Sequence, residues 1–178
     1  MNAVEIEEAV SELAERPFDR EAFPFQFLEA FGNKPATIKR LRDGHSNGSD
    51  VGGVLQRNNI HIAVAESGTV TATLAALKAS PATTKAKAQF ILATDGDLFE
   101  AEDIESGETV ACTFTEFPEY FGFFLPLAGI STVKQVRDSA FDIRATSRLN
   151  RLYVELLKDN PAWGKADRRP DMNHFMAR

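Results

Sequence analysis

A single cysteine, Cys112, in 178 residues leaves no partner for an internal disulfide and fits a reducing cytoplasm. Long apolar runs are missing too. The richest stretch, residues 117–130, is interrupted by Pro118, Glu119 and Pro126, which excludes a membrane span. No basic-then-apolar leader stands at the start, where Met1 runs into Glu5, Glu7 and Glu8, so no export signal is expected. Internal repeats and low-complexity tracts are lacking. So are a G-x-G-x-x-G loop, a Walker loop, H-E-x-x-H and any Cys/His metal spacing. His45, His61 and His174 lie far apart without cysteine partners and read as structural or exposed. The composition that remains, 43% hydrophobic and 26% charged, is that of a folded, soluble, intracellular α/β protein. The length suits one domain, or one and a piece of the next.

Basic residues are also absent where acids are dense. Residues 88–133 contain nine acids and no Lys or Arg. Residues 1–33 hold eight acids against two bases. The bases gather instead in residues 34–58, with Lys34, Lys39, Arg40, Arg42 and Arg57, and in 59–87, with Lys78, Lys85 and Lys87. Residues 134–178 add ten bases against six acids. The net charge of −6 therefore hides local basic faces, which matter more for nucleic-acid binding than the total does. The plainer reading is that these runs are solvated faces of helices and hairpins.

Hydrophobic spacing predicts a helix over 3–15, with Val4, Ile6, Val10 and Leu13 on one side and Pro17 beyond its end. A Phe-rich helix within 19–32 and a short basic helix over 35–44 follow. Gly, Asn and Ser make 44–54 a loop. NIHIAVAESG (59–68) alternates as a strand, with Ile60, Ile62 and Val64 on one face and His61, Ala63 and Ala65 on the other. A helix over 69–80 leads into a meander of QFILAT, LFEAEDI and TVACTF, with turns at Asp95-Gly96 and Ser106-Gly107. Val110, Cys112 and Phe114 are expected to point inward. The aromatic segment 117–130 should pack under the sheet, and a long helix from Ser139 to about Lys158 ends at Asn160-Pro161. The last residues break off without a stop signal, which reads as a boundary inside a longer polypeptide.

Four patterns bear on chemistry. The acid-rich TDGDLFEAEDIESGE lacks calcium-loop spacing and reads as a charged hairpin edge. Asn160-Pro161-Ala162-Trp163 approaches the N-P-P-[YFW] tetrad of adenine methyltransferases. However, Ala162 breaks the tetrad and no glycine-rich cofactor loop lies upstream, so helix termination explains it better. Asp50 ahead of the strand at 60–65 has the layout of a D…E-x-K nuclease, in which Glu and Lys at i and i+2 face a shared divalent metal. Here those positions are Ala63 and Ala65, which neither ligate a metal nor orient water. Glu66 is nearby on the opposite face or in the turn, and Gly68 stands where its lysine would be. The expectation is a nuclease-like scaffold without its catalytic groups, set against an unrelated α/β layout with a chance acid. On the long helix, Arg144, Arg148 and Arg151 share one face at i, i+4 and i+7, with Arg137 just before. That row suits successive phosphates, a solvated face or a domain interface equally.

The ordered set FQFLEAFG, Asp50, NIHIAVAESG, TLAALKAS, AQFILATDGDLFEAEDIESGETV, FTEFPEYFGFFLPLAGI and SRLNRLYVELLK resembles the N-terminal region of MmeI-like proteins. These are large single-chain restriction-modification or phage-defence proteins built around a class I S-adenosylmethionine-dependent adenine DNA methyltransferase. The resemblance spans nearly the whole chain, and its specificity lies in the order of the pieces. It implies a restriction-endonuclease-like α/β core, a mixed sheet flanked by helices, with a C-terminal helical extension. The expected organisation is N-terminal helices over 1–33, a nuclease-like core over 34–130, and a long helix with the start of a helical spacer over 131–178. S-adenosylmethionine would serve the downstream methyltransferase, not this segment. Endonuclease members carry D…E-x-K, and the alanines here put cleavage in doubt.

Three functions follow. The first is a degenerate nuclease-like accessory domain that contacts double-stranded DNA through Lys39, Arg40, Arg42, Arg57, Arg144, Arg148 and Arg151. Its partners would be the methyltransferase and target-recognition domains of the same chain, in the cytoplasm and away from membranes. The second is an active Mg²⁺-dependent endonuclease using Asp50 and Glu66. The third is a protein-interaction module built on the acidic 88–133 stretch and the Phe-rich segments.

Overall fold

A computed structural model describes residues 1–130 together with Leu152, Leu156 and Asp159. The chain divides into two units, Met1–Asp138 and Ser139–Arg178. In the second, the three described positions are helical. The long helix, the Arg144, Arg148 and Arg151 row, Arg137, the Asn160–Trp163 tetrad and His174 otherwise lie outside the described residues.

Local signals set the helices of the first unit. Helix α1 (Ala3–Glu15) opens on a capping box. Asn2 Oδ1 accepts from the amides of Val4 and Glu5 at 3.0 and 2.9 Å, and the Glu5 carboxylate takes the Asn2 amide at 2.8 Å. Helices α2 (Phe23–Ala30) and α3 (Pro35–Arg42) each carry proline in the first turn, where its missing N–H costs nothing. Helix α1 buries Ile6, Val10 and Leu13, and the helices of residues 1–33 pack within the same unit as the sheet.

Five strands form one mixed sheet in the order β1 (Val54–Leu55), β2 (Ile60–Val64), β3 (Phe90–Thr94), β4 (Leu98–Asp103) and β5 (Thr109–Thr113). Strands β2 and β3 are parallel, and the other neighbours are antiparallel. The parallel pair needs a crossover, which helices α4 (Val70–Ala79) and α5 (Pro81–Lys85) supply. Helix α5 was not expected. Ser80 ends α4 and caps α5, its hydroxyl accepting from the Thr83 amide at 3.4 Å, with Pro81 in the first turn. Five residues are too few for hydrophobic spacing to reveal.

The strand register gives the sheet two unlike faces. Phe90, Leu92, Phe99, Ala101 and Val110 share one face, covered by α2 and a run of 3-10 turns over Phe114–Ala128, on which α1 packs in turn. Aromatic rings fill that layer. Phe99 stacks on Phe117 at 4.8 Å, and Phe124 meets Phe27 edge-on at 5.3 Å. Phe114, expected as the last strand residue, instead begins the 3-10 run, and Cys112 is half-buried rather than fully inside. The other face carries His61, Ala63, Ile91 and Ala93 beneath α4. Strand β2 therefore alternates as expected, yet both its faces are covered. No helix among the described residues is long and apolar enough to cross a membrane.

Candidate functional site

The loop before β1 is fixed by its own side chains. Asn47 Nδ2 donates to the Gly53 carbonyl at 3.0 Å, while Asn47 Oδ1 accepts the Leu55 and Ser49 amides at 2.9 and 3.1 Å. Gly53 is there for space. A Cβ at this position would stand 2.1 Å from the Ile62 carbonyl oxygen, so the backbone approaches β2 as only glycine allows.

Beneath this loop runs a chain of hydrogen bonds whose donors can be assigned. Thr83 Oγ1 donates to the Leu77 carbonyl at 2.7 Å, so it accepts from His61 Nδ1–H, also at 2.7 Å. His61 Nε2 is then the acceptor for the Ser49 hydroxyl at 2.7 Å. Ser49 Oγ in turn accepts the Gly53 amide at 3.1 Å. His61 is fully buried, and that burial pushes its pKa below the ordinary value, although the charge of Asp50 pulls the other way. The neutral imidazole thus ties the loop, β2 and α5 together.

Asp50 is exposed and accepts the Ser80 hydroxyl at 2.5 Å. That bond, first among its causes, holds the Asp50 carboxyl below its usual range. Ser80 ends α4, whereas Glu66 belongs to the turn before α4, where its carbonyl accepts the Thr69 amide at 3.0 Å. The two acids are therefore at opposite ends of a ten-residue helix, about 15 Å long. One Mg²⁺ needs ligands near 2 Å, and the structure does not bring these two together. Glu66 instead pairs with Arg20 at 2.8 Å. Among the described residues no three His, Cys, Asp or Glu side chains are grouped to hold a metal ion.

Ala63 and Ala65, which the sequence pattern sets against the Glu and Lys of a D…E-x-K layout, are 4% and 2% exposed and pack with Val70, Leu77, Ile91 and Ala93. Methyl groups there let α4 lie close on the sheet. The acids on this face, Glu100 and Glu102, are engaged at the flank of α4 by Thr71 at 2.7 Å and Lys78 at 2.6 Å. The Cys112 thiol is pushed up to about 11 by burial, then by the charges of Glu116 and Glu119, so it is no nucleophile at neutral pH.

The basic residues read from the sequence separate into distinct settings. Lys39 and Arg40 are exposed on α3, whose buried residue is Leu41. Arg42 lies over the Phe25 ring at 4.8 Å, in a hollow shared with Asp19 and Glu21, so its charge is already engaged. Arg57 is exposed on the β1–β2 turn and lines a hollow with Ser46 and Lys85. The Ser46 amide donates to the Arg40 carbonyl at 3.3 Å, linking this hollow to the end of α3. Lys85 was missed as a site residue. The only trace it left was the basic balance of 59–87, because α5 places it beside Arg57 through the tertiary fold.

Comparison with known proteins agrees with the sequence resemblance. Residues 1–159 match the family described as MmeI, N-terminal domain. The chain is 31% identical over 161 residues to DNA methyltransferase A of Bacillus subtilis (strain 168). That alignment covers 90% of this chain, and the chain spans 18% of the relative's length. No solved structure matches the chain.

Proposed function

The chain belongs to the MmeI N-terminal domain family, and on that basis we propose that it is the DNA-contacting, non-cleaving accessory domain of an adenine-specific DNA methyltransferase. Its setting is a cytoplasmic restriction-modification or phage-defence system. The methyltransferase and target-recognition domains of the same polypeptide are its partners, and S-adenosylmethionine serves them. The observation that carries this reading is the extent of the match: nearly all of this chain aligns with under a fifth of a protein named for DNA methylation.

Two features support the finer parts. The order of antiparallel hairpin, crossover helix and parallel strand suits a restriction-endonuclease-like core. The positions where such a core needs Glu and Lys are alanines packed under α4, and Asp50 is separated from Glu66. Lys39, Arg40 and Arg57 offer phosphate contacts, with Arg144, Arg148 and Arg151 beyond the described residues as further ones.

The test is a titration of the chain with plasmid and short duplex DNA at low and moderate salt, with and without Mg²⁺ or Mn²⁺. Binding that weakens steeply with salt, loses affinity in Lys39→Gln/Arg40→Gln and leaves the DNA intact is the expected outcome. Metal-dependent nicking abolished by Asp50→Ala would establish the nuclease reading instead. A chain that ignores DNA at low salt yet binds the rest of its polypeptide would be an interaction module.

A further inference from the structure

A cavity of about 450 Å³ opens where the β1–β2 hairpin meets α5, lined by Ser46, Leu55, Arg57, Ala82, Lys85 and Ala86. Its volume lies in the range of small-molecule sites. Among the described residues, the charged side chains that line it are both cations, and no acid lines it. Neither the Arg57 nor the Lys85 side chain has a hydrogen bond or ion pair with any described residue. Their charges are therefore open to a ligand, in contrast to Arg42 on its phenylalanine and Lys78 on Glu102.

The backbone around the cavity is unusual in the same place. Among the described residues, the non-glycine positions with positive φ are Asn58 at 57°, directly after Arg57, and Lys87 at 53°, directly after Ala86. The Asn58 amide donates to the Ala86 carbonyl at 2.8 Å, fastening the hairpin to the end of α5. Left-handed backbone at side-chain-bearing residues persists only where surrounding structure enforces it, and it clusters at binding sites. Here it holds both walls, so Arg57 and Lys85 line one cavity although they come from different elements.

The lining is complementary to a ligand with two parts. Arg57 and Lys85 suit a phosphate, the guanidinium as a fork and the ammonium as a point charge. Leu55, Ala82 and Ala86 form an apolar wall for a sugar or base face, and Ser46 adds a hydroxyl. We infer that this cavity binds a nucleoside phosphate, its phosphate against Arg57 and Lys85. The same chemistry comes from a nucleotide unit of a DNA strand or from a free nucleotide. In the first case the inference rests on the DNA-contacting role proposed above and gives it an anchoring point; in the second it stands without that role.

Calorimetric titration of the chain with dAMP, with deoxyadenosine and with a short DNA duplex separates these cases. Lys85→Gln and Arg57→Gln test the cavity, Lys85→Arg tests rescue by charge, and Lys39→Gln/Arg40→Gln tests the α3 surface. Matching circular-dichroism melts show that each exposed-residue variant is folded. Binding of dAMP that falls about tenfold in Lys85→Gln, survives in Lys85→Arg and is about tenfold weaker for deoxyadenosine assigns the site to a free nucleotide. Duplex binding with the same dependence on Lys85 and Arg57, and no dAMP binding, assigns it to a strand. Duplex binding lost in Lys39→Gln/Arg40→Gln and unchanged in Lys85→Gln and Arg57→Gln keeps the DNA-contacting role and overturns the cavity. Binding of neither ligand, or binding of dAMP indifferent to both cavity residues, overturns it too.

Discussion

The two faces of the sheet are built on opposite principles. One is a thick layer of phenylalanines, with Phe90 and Phe99 from the sheet meeting Phe27, Phe117 and Phe124 from the covering segments, and Phe31 packed behind them on Phe27 and Phe124. The other is thin, with Ala63, Ala65 and Ala93 pressed under α4 and polar links around that helix's rim: Asp50–Ser80, His61–Thr83, Thr71–Glu100 and Lys78–Glu102. The aromatic face stabilises by buried area, at about 1.5–3 kcal/mol for each fully buried Phe. The alanine face contributes less area and places α4 and α5 through directional bonds. That difference separates the part of the molecule that carries stability from the part where the proposed recognition sites lie. The cavity with Arg57 and Lys85, the Asp50 loop and the buried histidine all lie on or beside the thin, polar-rimmed face.

Substitutions on each face should expose the contrast. The largest effects are expected from Phe124→Ala on the thick face and Ala63→Glu on the thin one. Phe124 is fully buried and touches five other rings, so its truncation should cost about 3–5 kcal/mol in urea unfolding. Ala63→Glu forces an unpaired carboxylate under α4, with a similar loss of about 3–5 kcal/mol. It should bring no Mg²⁺-dependent nicking, even combined with Ala65→Lys. A stable double variant that nicks DNA would show that the thin face opens readily.

His61→Asn should have an intermediate effect, about 1–3 kcal/mol at neutral pH, because Ser49 and Thr83 lose their shared partner. It should also change the pH profile. The folded protein protonates His61 less readily than the unfolded chain, whose imidazole titrates near pH 6.5. The histidine's contribution is therefore complete above that value, falls as pH drops below it, and levels off once the folded imidazole charges. Unfolding at pH 7.5 and at 5.5 should differ more in the wild type than in His61→Asn. Asp50 acts in a separate window. Its lowered carboxyl contributes above its ordinary value of 3.8 and loses that contribution only as pH falls through the folded value.

The smallest effect is expected for Lys78→Ala. Its ion pair with Glu102 is short, but the lysine is largely exposed, so the loss should be about 0.2–1 kcal/mol and shrink with salt. A larger loss would mean that the rim of α4 carries more of its placement than its alanine contacts do.

Much of the fold was legible because its elements carry local signals. Prolines in the first turns of α2 and α3, the alternation of β2 and the turn residues at Gly96 and Gly107 all act within a few positions. Helix α5 was invisible because a single turn has no period. Of the candidate site, Asp50, Lys39, Arg40 and Arg57 could be named from residue type and charge, but not who their neighbours are. Arg42 looked like any basic residue of α3 until Phe25 was found beneath it. His61 looked like an ordinary strand residue, although Ser49 and Thr83 make it the tie beneath the Asp50 loop.

By itself, the sequence determined most element types, the segregation of acids from bases and the small apolar side chains at Ala63 and Ala65. Those properties follow from backbone preference, hydrophobic period and side-chain chemistry, which are local. Only the tertiary structure decided that Asp50 meets Ser80 and not Glu66, and that Lys85 shares a cavity with Arg57. The physical reason is the parallel crossover from β2 through α4 and α5 to β3. It folds distant positions onto one another according to how closely α4 packs on the sheet, a distance set by the methyl groups of Ala63 and Ala65.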